Sequence, residues 1–72
     1  MHGTMADLGE RLKRLREAAG ETQQGLAEKA GLAIGALRAI EQGIVADPKL
    51  TTLRKLAAAL GCTIDDLAGP TG

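Results

Sequence analysis

Apolar residues recur along this chain in short helical registers, each closed by a glycine. Leu8, Leu12 and Leu15 fall three or four residues apart, as do Leu26, Ala27 and Ala30, then Leu37 and Ile40, then Leu53, Leu56, Ala57 and Leu60, and last Ile64 and Leu67. Side chains at such spacing line one face of an α-helix, because its turn holds 3.6 residues. Arg11, Lys13, Arg14 and Glu17 lie off the first stripe and belong in water. Gly20, Gly31, Gly43 and Gly61 follow the first four segments, at the place where a left-handed residue ends a helix. The pattern predicts five helices, over residues 5–19, 23–30, 34–42, 50–60 and 64–68, and no strand alternation competes with them.

The start signals of these helices are uneven. Thr63 and Asp66 stand at capping-box spacing before the fifth, as do Thr4 and Asp7 at the first. Thr22 caps the second, but Gly25 stands where Glu or Gln would complete the box, and glycine inside a helix costs ~1 kcal/mol relative to alanine. The third begins after Ala33, where Ser, Thr, Asn or Asp would be favoured by ~1 kcal/mol. Asp47 and Pro48 turn the chain into the fourth. Local rules therefore fail at Gly25, Ala33, Gly35 and the loop after the third helix, a concentration expected where function shapes the sequence.

Composition narrows the picture further. Seventy-two residues make one domain, and a domain of that size buries only about 60% of its unfolded surface. With no Phe, Tyr or Trp, its core must come from Leu, Ile, Val and Ala. Cys62 is the sole cysteine and no Cys/His spacing suits a metal, so neither a disulfide, a metal nor a cofactor is expected. Apolar runs fall far short of the roughly 20 residues that span a bilayer, and no signal core opens the chain. A cytoplasmic protein follows, with no membrane partner and no small-molecule substrate. Residues 1–4 precede a second methionine, Met5, and read as a leader; residues 5–69 form the domain and 70–72 a tail. There is no serine, no histidine beyond His2 and no phosphate loop, and Asp65 and Asp66 are explained as capping groups, so an enzyme is not expected. Nine basic and nine acidic residues cancel, whereas a small duplex-binding domain usually carries a basic excess.

Particular residues carry a resemblance. Thr22-Gln23, then Leu26-Ala27, then Ala30-Gly31-Leu32, then Ile40-Glu41-Gln42-Gly43, and finally the run from Leu53 to Gly61 with Thr63 after it, resemble the Cro/C1-type (Xre) helix-turn-helix family. The resemblance implies an all-α, five-helix repressor-like domain that regulates transcription by binding DNA. It places the third helix in the major groove and the second against phosphate. The family's base-reading positions then fall on Ile34, Gly35 and Ala39, with Arg38 beside them. Arg38, Gln23, Gln24 and Lys49 would then supply phosphate or base contacts, and Arg16 and Glu41 match an ion pair joining the first helix to the end of the third.

The side chains on that face point elsewhere. Only Arg38 can donate to a base edge or a phosphate, since Ile, Gly and Ala offer at most contact with a thymine methyl. The loop Ile44-Val45-Ala46-Asp47 lacks anchoring cations, and weakened DNA binding is expected from it. Ile34 lies off the Leu37–Ile40 stripe and is expected to be exposed. With Ala36, Ala39, Ile44 and Val45 it would form an apolar patch, the usual mark of a contact site. The leading expectation is a protein-interaction or self-assembling module, natural or engineered. It would bury Gly25, Ile34, Gly35, Ala36, Arg38, Ala39, Ile44 and Val45 against a second copy, as a closed dimer or a larger homo-oligomer. The alternative is a sequence-specific transcriptional regulator that binds operator DNA as a dimer through the third helix, using Gln23, Gln24, Ile34, Gly35, Arg38, Ala39 and Lys49.

Overall fold

Each apolar register becomes a helix: α1 is Leu8–Ala18, α2 Gln23–Ala30, α3 Ile34–Glu41, α4 Leu50–Leu60 and α5 Ile64–Ala68. This computed structural model describes residues 8–69. The expected leader, the Thr4–Asp7 capping box, the first residues of the first helix and the tail lie outside the described residues. No strand occurs among the described residues. The third helix stops at Glu41, one residue short of its expected end, with Gln42 as its cap.

Helix ends follow from local hydrogen bonds. Thr22 is extended, and its hydroxyl accepts the Gly25 N–H at 2.9 Å. Gly31 then turns left-handed at φ 69°, its N–H donating to the Glu28 carbonyl while the Leu32 N–H donates to Ala27. This pairing satisfies two end-of-helix carbonyls and folds Leu32 back onto the core. Cys62 repeats the arrangement after α4, its N–H donating to the Ala57 carbonyl and its side chain packing on the core. Burial, followed by the nearby Asp66 charge, pushes its thiol up from the usual value, which makes it a packing residue and a poor nucleophile. At α5 the Thr63–Asp66 capping box is complete in both directions. Hydrogen bonds from Thr63, the backbone N–H foremost, hold the Asp66 carboxyl below its usual value.

The core is built from leucine. Leu8, Leu12, Leu26, Leu37, Leu56 and Leu67 are fully buried and represent all five helices. Each such side chain contributes about 1.5–3 kcal/mol of burial. α2 packs on α3 and α4, and α1 packs on α3 and α5. Gly9 lets α1 lie directly on the end of α3: a Cβ there would stand 2.6 Å from the Ile40 carbonyl oxygen and 2.7 Å from that of Glu41. Any larger residue would push α3 away. Among the described residues no helix is long and apolar enough to cross a membrane.

Candidate nucleic-acid interface

α2, the turn at residues 31–33 and α3 form a helix-turn-helix unit. Leu37 and Ile40 anchor α3 in the core, leaving Gly35, Ala36 and Arg38 exposed and Ala39 half-buried. Ile34 departs from expectation. It is half-buried and packs against the core cluster, because a residue three before Leu37 shares its side of the helix. The supposed apolar patch therefore loses its largest α3 member. Ile44 and Val45 are exposed, at 73% and 38%, and their N–H groups both donate to the Ala39 carbonyl. Leu50, at 53% exposure, is an apolar surface residue that the helical register alone does not reveal. Between the end of α3 and the start of α4 runs a shallow groove lined by Ala36, Ile40, Val45, Asp47, Pro48, Lys49 and Thr52.

The two irregular glycines have different surroundings. A Cβ at residue 25 would meet the Glu21 carboxylate at 3.0 Å and the Thr22 hydroxyl at 3.1 Å. Glycine there makes room for the chain's own cap, a reason distinct from close approach by a partner. At Gly35 nothing stands within 4 Å of the Cβ position, so the surface is simply open.

A linked set of polar side chains spans the unit. Arg16 is 9% exposed, and its Nε donates to Glu41 Oε2 at 2.7 Å and its Nη2 to Oε1 at 3.2 Å. Nη1 of Arg16 donates to the Glu21 carbonyl. The Glu41 hydrogen bond also raises the Arg16 pKa above its usual value. Gln23, the first residue of α2, donates from Nε2 to Glu41 Oε1 at 3.0 Å and accepts from Arg38 Nε at 3.3 Å. Arg38 thus joins a chain of contacts ending in a buried ion pair, which residue spacing does not disclose. Gln24 makes only a long contact with Glu28 on the surface, at 3.5 Å.

Electrostatics separate the helices into two groups. α1 and α5 carry acids in their first turns, Glu10 in one and Asp65 and Asp66 in the other, whereas α2, α3 and α4 carry none. Ala33 and Lys49, the N-caps of α3 and α4, make no side-chain cap bond. Lysine at that end opposes the helix dipole. Neither helix end is satisfied by a side chain at its own cap, and Asp47 lies two residues before the α4 cap. Among the described residues no cluster of three or more His, Cys, Asp or Glu side chains could hold a metal.

Residues 12–67 match the helix-turn-helix family model. The HTH-type transcriptional regulator SinR of Bacillus subtilis is 35% identical over 60 residues, which is 83% of this chain and 54% of SinR. This chain therefore spans about half the length of the curated relatives it matches. The N-terminal DNA-binding domain of B. subtilis SinR superposes with a TM-score of 0.86 at 32% identity, over 90% of this chain and 94% of that one. SinR in complex with DNA gives 0.81 at 35% identity, over 83% and 95%. The restriction-modification controller protein C.AhdI from Aeromonas hydrophila gives 0.82 at 33%, over 88% and 94%. These likenesses overturn the leading expectation of a protein-interaction or self-assembling module, natural or engineered, because the similar proteins are regulators and one matching domain is a DNA-binding domain. Ile34, half-buried against the core, is also not the fully exposed residue that this expectation assumed.

Proposed function

This chain belongs to the helix-turn-helix family, in its Cro/C1 form, and from that premise we propose that it is a cytoplasmic, sequence-specific DNA-binding regulator of transcription. The observation that carries the reading is the unit's close superposition on the SinR DNA-binding domain. α3 enters the major groove, whose width of about 12 Å admits one helix. Gly35, Ala36 and Ala39 keep that helix slim, so its backbone approaches the base edges, with the alanine methyls suited to thymine.

Phosphate anchoring falls to the helix ends. The uncapped N-terminus of α4 presents backbone N–H groups to the DNA backbone beside Lys49, and Gln24 adds a polar side chain at the start of α2. Such groups do not enter a count of Lys and Arg, and for that reason weakened binding does not follow from a neutral sequence or from the loop at residues 44–47. Lys49 at the cap position of α4 is unfavourable for the isolated helix and favourable beside a phosphate. α3 covers only about 12 Å of groove, roughly three or four base pairs. Two copies on half-sites about 34–36 Å apart would lengthen the sequence read, and a symmetric dimer is the arrangement we propose.

Selection from a randomised duplex library, followed by titration of the enriched sequence across salt concentrations, tests this reading. A recurring motif should emerge, with affinity falling linearly in log–log form as salt rises. Lys49→Glu should weaken binding to all sequences about equally. Failure of every sequence to enrich at low salt would exclude the proposal.

A further inference from the structure

The reading helix carries a single long donor, and the structure holds it at one edge. Resting on the DNA-binding reading above, we infer that Arg38 is the specificity-determining residue of this domain, that it takes a guanine in the major groove, and that Gln23 is its positioning residue.

Arg38 is exposed in the middle of α3, with Gly35 one turn before it and Ala39 next to it. Nothing crowds the surface at Gly35, and the guanidinium reaches the start of α2 at Gln23. Its Nε donates to Gln23, while its two terminal nitrogens form no hydrogen bond among the described residues. Those two nitrogens are a planar pair of donors, and guanine is the base that offers two acceptors, O6 and N7, on its major-groove edge. Adenine places a donor at the corresponding position and rejects the fork.

Charges on either side orient Gln23. Its amide nitrogen faces the Glu41 carboxylate and its oxygen faces the Arg38 guanidinium. Reversing the amide would set oxygen against carboxylate and NH2 against guanidinium, so only one orientation satisfies both neighbours. Glu41 is itself fixed by Arg16, its side chain only 4% exposed. The buried pair thereby reaches through Gln23 to restrain a surface arginine, which lowers the rotamer freedom that Arg38 would lose on binding.

The experiment compares the base preferences of the parent, Arg38→Ala, Arg38→Lys and Gln23→Met, each first shown to melt as the parent does. Preferences are measured by competition among all single-base variants of the selected site. Arg38→Ala should abolish preference for guanine at one position of each half-site, a loss of about 5- to 150-fold in discrimination, and leave the other positions unchanged. Arg38→Lys, which has no planar fork, should fail to restore it. Gln23→Met should reduce discrimination at that same position severalfold and leave the rest of the motif intact. A uniform loss across all sequences on changing Arg38, with a salt slope shallower by about one, would identify a phosphate contact and overturn the inference. A uniform loss with Gln23→Met would overturn the positioning role. If the parent itself selects no sequence, the DNA-binding reading falls and this inference falls with it; if the parent selects and Arg38→Ala keeps every preference, only this inference falls.

Discussion

Glu41 is the residue on which this interface turns, because it accepts from both the buried guanidinium of Arg16 and the amide of Gln23. Removing it leaves a cation desolvated without its counter-charge. Glu41→Ala should therefore destabilise the domain by about 3–5 kcal/mol, read from urea unfolding. The double change Arg16→Met with Glu41→Leu should cost much less, since no charge is then stranded. A single variant with an unchanged midpoint would show that the pair is not desolvated. That Arg16 and Glu41 belong together is legible in the resemblance; that Gln23 and Arg38 hang from them is not. An amide at the start of one helix and an arginine in the middle of the next give no local sign of touching.

At the scale of the element, three helices begin and end where their caps and registers place them: α2, α4 and α5. Capping is a contact between residues three apart, so sequence spacing exposes it directly. Gly25 marks the boundary of that logic. It reads as a broken capping box, yet the Thr22 hydroxyl still receives its bond there, and an added side chain would crowd Glu21, which pairs with Lys29. Ala33 has no such excuse, since its α3 lacks any side-chain cap. Ala33→Ser should raise stability by ~1 kcal/mol, equivalent to about 4–8 °C in melting temperature for a domain of this size. A variant that melts at or below the parent would show that serine cannot reach the α3 amides. The absence of a cap is also what leaves those amides open beside the proposed groove-facing surface.

The whole molecule rests on few side chains. Leu37 anchors the reading helix from within the shared core, and Leu37→Ala should cost about 2–5 kcal/mol. For a chain of 72 residues that is a large part of a total near 4–11 kcal/mol, so a markedly lower melting temperature by circular dichroism is the expected result; an unaltered melt would mean that α3 is not held by this core. Helix positions, stop glycines, the leucine stripes and the resemblance to a DNA-binding family were all determined by the sequence itself, because periodicity and capping act within about four residues. Tertiary structure decided how far the apolar residues of the third helix are covered, leaving Ile34 half-buried against the core. It alone brought Gly9 against the end of α3 and tied Arg38 to Gln23, Gln23 to Glu41 and Glu41 to Arg16, across separations of 15, 18 and 25 residues. Contacts at that range depend on how helices pack against one another, and packing is a property of the assembled core that no single helical register contains.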